Sequence, residues 1–189
     1  MVMKFKNQLK GDRLVLKRTK PTIQMAETMF AQVDRNRKHL EKWLPWTEFT
    51  NKVEDSLKYL FDKEESTKLG KKVEYGIYLG NVYIGNIGIF DISEDDKSAE
   101  IGYWLSADSG RNGYMSEVVQ IIEEEFFINH NLNRLQIKCD EENTASSGVA
   151  KKCNFKLEGL LREDKYSKYF NKLTNTLVFS KLLSEYKKK

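Results

Sequence analysis

The stretch with the most chemistry to offer runs Glu100-Ile-Gly-Tyr-Trp-Leu-Ser-Ala-Asp-Ser-Gly-Arg-Asn-Gly-Tyr-Met-Ser-Glu117. It reads as a strand, a glycine-bearing loop and the start of a helix. Gly110 and Gly113 let the backbone come close to a ligand, the free N–H groups of a first helical turn converge on it, and the helix dipole favours negative charge there. Arg111 adds a forked donor. A phosphate suits this arrangement, although the same residues also serve a plain helix entry with glycine for clearance. Glu100 is the strand's carboxylate, and alternation puts it on one face with Gly102 and Trp104. On its own it reads as a strand-edge carboxylate paired with a lysine or a loop N–H. Asn143 stands where an N-cap belongs, and Ser146 follows three residues later, able to bond its own helix end. The segment Trp43-Leu-Pro-Trp46 makes a rigid aromatic corner that either packs on the core or lines a groove.

Other chemistries are poorly supplied. His39 and His130 are the only histidines among 189 residues, which argues against a histidine-ligated zinc site and against a Ser-His-Asp triad. Cys139 and Cys153 are too few and wrongly spaced for a metal knuckle and are expected to be reduced core thiols, so no metal is expected. Thirty-two Lys and Arg against twenty-eight Asp and Glu leave a charge of +4, much of it in Tyr186-Lys-Lys-Lys189 and the first ten residues. Without a basic helix or an aromatic-basic stripe, no direct nucleic-acid binding is expected. No apolar run approaches the ~18 residues of a membrane span, and the amino terminus lacks the apolar stretch of a secretory signal, so the expectation is a cytoplasmic chain without membrane attachment. The run Glu123-Glu124-Glu125 reads as a solvated helix face.

The elements that must position these residues follow from periodicity. With 40% hydrophobic and 32% charged residues, the chain suits one domain over residues 1–189, its last seven residues, 183–189, being a frayed tail. Strands are expected at 13–19, 73–79, 82–90, 98–105, 134–139, 155–162 and 174–181, the second and third joined by the turn Gly80-Asn81. Pro21 opens a helix whose stripe is Ala26, Met29, Phe30 and Val33, and a short second helix over 36–43 stops before Pro45. A third helix buries Val53, Leu57, Leu60 and Phe61; a fourth buries Met115, Val118, Val119, Ile122 and Phe126; a fifth runs from Asn143 to about Lys152. The outcome is a mixed α/β sheet.

Five separated patches resemble, in order, the GNAT superfamily of N-acetyltransferases, and in detail its RimJ/RimL branch, which acetylates protein amino termini. They are Asn36-Arg-Lys-His-Leu-Glu-Lys-Trp-Leu-Pro-Trp46; Gly85-Asn-Ile-Gly88; Ala99-Glu-Ile-Gly-Tyr-Trp-Leu105; Gly110-Arg-Asn-Gly-Tyr-Met-Ser-Glu117; and Leu132-Asn-Arg134 through Asn143-Thr-Ala-Ser146 to Phe155. The resemblance implies the acyl-CoA N-acyltransferase fold, an α/β (α+β) domain. Its mostly antiparallel sheet has about 6–7 strands with one splayed parallel pair, flanked by about 4–5 helices. Acetyl-CoA is implied as cosubstrate and no metal. The implied contacts to the cofactor come from Trp104, Leu105, Gly110, Arg111, Asn112, Gly113, Tyr114, Met115, Asn143 and Ser146. A backbone N–H near Trp104 or Leu105 would polarise the thioester carbonyl, Ser146 would protonate the departing thiolate, and Glu100 would be the base. Trp43, Trp46 and Tyr166 would meet the acceptor.

There are departures. Relatives usually carry Gln or Arg where Gly110 stands and a small residue where Met115 stands, and Asn154 replaces the glycine before Phe155. The implied partner is an amine, either a protein amino terminus or a small amine such as a polyamine or aminoglycoside; a non-catalytic acyl-CoA-binding module is the alternative of another class. The implied assembly is a monomer or homodimer. An α-amine of pKa about 7.7–8.0 is already roughly a quarter neutral near pH 7.4, whereas a lysine-type amine at about 10.4 must lose a proton at roughly 4 kcal/mol. The thin supply of bases therefore leans towards the α-amine.

Overall fold

Alternating apolar residues build the sheet. The computed structural model describes residues 3–187. Its strands are β1 (Gln8–Lys10), β2 (Leu14–Arg18), β3 (Val73–Leu79), β4 (Val82–Ser93), β5 (Ser98–Leu105), β6 (Arg134–Asp140), β7 (Lys156–Ser167) and β8 (Lys172–Leu182). They form one sheet in the order β1-β2-β3-β4-β5-β6-β8-β7. Every neighbouring pair is antiparallel except β5–β6, which is parallel. The helices are α1 (Ile23–Arg35), α2 (Arg37–Leu40), α3 (Val53–Lys68), α4 (Tyr114–Glu124), α5 (Thr144–Lys152) and α6 (Leu183–Tyr186), with a 3₁₀ turn at Pro45–Phe49 and a π-helical turn at Glu125–Asn129 continuing α4.

The sheet has eight strands rather than the expected six or seven because β1 contributes only three residues, of which Leu9 alone is buried. Such a piece is too short to show a period. The sixth helix, α6, occupies the start of the expected frayed tail, where Tyr186 lies 5.5 Å from Phe127. Lys188 and Lys189 lie outside the described residues.

Each face of the sheet has its own cover. Ile77, Ile87, Ile89, Ile101, Leu135 and Ile137 share one buried cluster with Val118, Val119, Ile122 and Phe126 of α4. Ala26, Met29 and Val33 of α1 gather with Leu40 and Leu60 in a second cluster, against which Trp104 of β5 packs. Thr22 caps α1, its Oγ1 accepting the Met25 N–H at 3.2 Å. The α3 stripe is narrower than expected: Phe61 is 54% exposed, and Ser56 and Thr67 share the buried side with Leu60.

The acidic run on α4 is not a solvated face. Glu123 and Glu125 are both buried, and only Glu124 is exposed. Glu123 stands four residues after Val119 and three before Phe126, at the margin of the apolar stripe, and the π-helical turn carries Glu125 inward as well. Lys181 of β8 answers Glu123 at 2.7 Å and donates to the Cys153 carbonyl at 2.8 Å. Glu125 accepts from Lys6 and Asn129, both at 2.7 Å.

Taking one charge from the Glu123–Lys181 pair strands the other in an apolar core, so Lys181→Ala is expected to destabilise the protein by about 3–5 kcal/mol in urea unfolding. Joint replacement by Leu at 123 and Met at 181 is expected to recover most of that loss. A Lys181→Ala midpoint equal to that of the unaltered protein would show that the pair carries no such weight.

Candidate active site

The site begins where the parallel pair fails. Cα pairing of β5 with β6 runs from Ser98–Arg134 to Ile101–Ile137 and stops. Beyond that point β5 stays on β4 as far as Leu105, opposite Gly85, while β6 stays on β8 as far as Asp140, opposite Thr176. Each strand is held from outside, and the two part from each other. Gly85 permits this: a Cβ there would lie 2.2 Å from the Trp104 carbonyl oxygen, so only glycine lets β4 run this close to β5. Successive N–H groups of a strand point to opposite sides. Since Ser106 gives its N–H to Ile84 of β4 at 2.8 Å, the Leu105 N–H is turned to the gap.

A cleft of about 800 Å³ opens from this gap. Tyr103, Trp104 and Leu105 of β5 form one wall, Asn143, Ser146 and Lys152 of α5 and its cap the opposite one. Gly110, Arg111, Gly113, Tyr114 and Met115 form the end, and Trp43 with His39 the rim. Of the cofactor residues expected from the sequence, only Asn112 is turned away: its amide nitrogen donates to the Gly110 carbonyl at 3.0 Å and its carbonyl accepts from Arg13 at 3.1 Å.

The two loop glycines differ in backbone conformation. Gly113, with φ of 74°, caps α4 in the left-handed region where other residues are strained. Gly110 has an ordinary φ of −65°, and the second left-handed residue of the loop is Arg111, at 63°. The first-turn N–H groups of α4 have no carbonyl within the helix and no side-chain cap, so they are available to an anion. Two cations flank them. The Lys152 ammonium and the Arg13 guanidinium lie 3.4 and 3.8 Å from the point a Gly113 Cβ would occupy. Neither was singled out in the sequence; Arg13 reaches the loop from about a hundred residues away, which no local pattern signals.

Arg13 also manages the one acid of the first turn. Glu117 accepts from the Arg13 backbone N–H at 2.8 Å and from its Nε at 2.7 Å. Burial works to raise this carboxyl, and the hydrogen bonds and charge of Arg13 outweigh it, holding Glu117 below the usual carboxylate range.

On the α5 side, Asn143 caps the helix, its Oδ1 accepting the Ser146 N–H at 3.0 Å. Ser146 Oγ lies 3.2 Å from the Tyr103 hydroxyl, which also donates to the Ser146 carbonyl at 3.2 Å. Burial pushes the Tyr103 phenol well above its ordinary range, with the Ser146 contact acting the other way, so it remains a protonated donor. Tyr103 was not among the residues expected at the site, and its partner Ser146 lies 43 residues on. The cysteines are buried and unbridged, and burial lifts the Cys139 thiol.

Three expected site residues lie elsewhere. Glu100 does not line the cleft; it pairs with Lys138 at 2.8 Å and accepts from Gln136 at 3.2 Å. The Phe90 ring covers Gly102, where a Cβ would meet it at 3.0 Å, and so stands between Glu100 and Trp104. Trp46 faces a smaller second pocket, 6.4 Å from the Trp104 ring. Tyr166, 56% exposed, bonds Asn171 in the β7–β8 hairpin. Among the described residues no group of three or more His, Cys, Asp and Glu is placed to hold a metal ion, and no helix is long and apolar enough to cross a membrane.

A family model described as an acetyltransferase (GNAT) domain matches residues 13–156. An uncharacterized N-acetyltransferase p20 of Bacillus licheniformis is 38% identical over 54% of this chain and 57% of its own length. The ribosomal-protein-serine acetyltransferase of Escherichia coli (strain K12) is 28% identical over 73% of this chain and 77% of its own. Among solved structures, a RimL ribosomal-protein acetyltransferase in complex with coenzyme A superposes with a TM-score of 0.88 at 22% identity, covering 94% of this chain and 99% of that one. The acetyltransferase MccE in complex with acetyl-CoA and AMP superposes at 0.83 with 24% identity over 90% and 93% of the two chains. These structures share the fold.

The two loop glycines should separate experimentally. Gly113→Ala forces a Cβ into the left-handed region beside Lys152 and is expected to cost about 1–2 kcal/mol in urea unfolding. Gly110→Ala is expected to stay within about 0.5 kcal/mol of the unaltered protein. Equal losses at the two positions would contradict the assignment of strain to Gly113.

Proposed function

This chain belongs to the acetyltransferase (GNAT) domain family and takes acetyl-CoA as its cosubstrate, and from that premise we propose that it acetylates the α-amino terminus of a protein. The observation that carries the proposal is the gap between β5 and β6, walled by backbone donors and by no carboxylate.

The residues of the cleft fit an acyl-CoA. The α4 first turn, with Lys152 beside it, offers N–H groups and positive charge to a pyrophosphate, and the widening gap offers strand edges to an amide-bearing arm. When bound, acetyl-CoA supplies an activated thioester carbonyl and a thiolate leaving group. The Leu105 N–H, turned to the gap, is a fixed donor for a carbonyl oxygen as it gains charge. Ser146 holds a proton at Oγ for the sulfur, its hydroxyl positioned by Tyr103 and its backbone by Asn143. A thiol of pKa about 8.5 needs only modest help to leave.

The choice of amine rests on the missing base. With Glu100 tied to Lys138 behind the Phe90 ring, the cleft wall carries no carboxylate, and its imidazole, His39, sits on the exposed rim. An acceptor that arrives partly neutral and releases its proton to water suits such a site better than a lysine side chain, which faces the roughly 4 kcal/mol deprotonation cost. Similarity to the ribosomal-protein-serine acetyltransferase supports the same reading. A cytoplasmic setting accompanies it.

The test is release of the coenzyme A thiol with amino-terminal peptides and with spermidine. Turnover on a peptide, with its acetyl group mapped to the α-amine, is expected; turnover on spermidine alone, or no calorimetric heat on titrating coenzyme A, would overturn the proposal. Ser146→Ala is expected to lower kcat by about 10-fold to 100-fold with coenzyme A affinity retained. Glu100→Gln is expected to stay within about threefold of the unaltered kcat, and a loss comparable to that of Ser146→Ala would reinstate Glu100 as the base.

A further inference from the structure

Behind Trp104 lies a second pocket, of about 310 Å³, between α1, the Pro45–Phe49 turn, α3 and the sheet. Its rings come from Trp46, Phe49, Tyr59 and Trp104, and its floor holds two buried polar side chains, Ser56 and Asn86, 1% and 5% exposed. Ser56 Oγ and Asn86 Oδ1 have no hydrogen-bond partner among the described residues.

The orientation of Asn86 is dictated from below. Glu74, 3% exposed, is an acceptor only, and it takes the Tyr59 hydroxyl, the Asn86 amide nitrogen at 2.9 Å and the Lys63 ammonium at 3.0 Å. The Asn86 nitrogen is therefore committed to Glu74, and its oxygen is left without a partner on the pocket floor. Whatever enters must bring donors. At the rim Asp55 uses one oxygen on the Asn51 and Lys52 N–H groups, Lys58 brings one positive charge, and Asp62 tips the balance to one net negative charge. The Tyr59 ring already carries the Lys63 ammonium, 4.9 Å from its centroid, so the indole faces of Trp46 and Trp104 are the ones left to attract a further cation, and the volume far exceeds what a hydroxymethyl group would fill.

We propose that this pocket is an acceptor subsite for a primary ammonium group carried on a flexible chain next to the reacting amine. The inference rests on the reading of the neighbouring cleft as the site of acetyl transfer, since Trp104 is a wall of both. Two sources present that chemistry: a lysine side chain following the amino terminus of a peptide, and the far amine of a diamine.

Binding and turnover test it separately. Saturable change in tryptophan fluorescence is expected with pentylammonium and not with pentanol, weakened about 10-fold by Asp62→Asn and lost from the Trp46→Phe signal. Thiol release is expected to show a KM about 10-fold lower for Ser-Lys-Gly-Gly than for the same peptide with norleucine in second place, with the ratio collapsing in Asp62→Asn. Cadaverine as the better substrate would assign the ammonium to a diamine and still support the pocket. Equal responses to pentylammonium and pentanol, or equal KM for the two peptides, would overturn it while leaving the transfer reading intact. Pentylammonium binding without thiol release from any of the three acceptors would instead defeat the transfer reading and leave the pocket standing.

Discussion

The parting of β5 from β6 is the constraint on which the rest depends. A sheet normally satisfies every backbone group along its interior, and here two adjacent strands lose each other after Ile101 and Ile137 while remaining fully engaged with β4 and β8. The exposed strand edges are rigid because their outer neighbours hold them, so the donors and acceptors in the gap cannot collapse together. They wait for a ligand with an extended polar backbone of its own. The cleft, its position beside the α4 first turn and the placement of α5 across it all follow from that failure of pairing.

The same strand divides the chemistry between two faces. Tyr103 points to the side covered by α4 and α5, where it meets Ser146; Trp104 points to the side covered by α1 and α3, where it meets Trp46 and Tyr83. Trp104 nevertheless lines both the cleft and the aromatic pocket, whereas Tyr103 lines the cleft alone. Phe90 closes the second face further along: its ring covers Gly88 and Gly102, and no side chain larger than hydrogen fits beneath it at Gly88, where a Cβ would meet the ring at 2.2 Å. That ring insulates Glu100 from the site.

Much of this was legible in the sequence. Period-two runs placed seven of the eight strands within a few residues, and the ordered family patches located the cleft, because both depend on local pattern. What escaped was long-range. Arg13 and Lys152 reach the same loop from opposite ends of the chain, and Glu123 finds Lys181 from 58 residues away. Alternation fixes which face Glu100 takes and not what lies beside it; the ring of Phe90 and the ammonium of Lys138 decide that.

Within the loop itself one group opposes anion binding. Glu117 sits in the first turn of α4, where a carboxylate already complements the helix dipole and would repel an incoming anion. Arg13 resolves the conflict by binding that carboxylate through both its main chain and its side chain while setting its own positive charge over the Tyr114 ring, 4.8 Å from the centroid. The net field at the mouth is then that of Lys152, Arg111 and the helix start. Because the folded carboxyl is held below its unfolded value, the link it makes between β2 and α4 contributes stability above the ordinary carboxylate range and loses it as pH falls through the lowered folded value. Near neutrality the acid is ionised and clamped, so the anion site keeps its sign under the conditions in which an α-amine is a useful nucleophile.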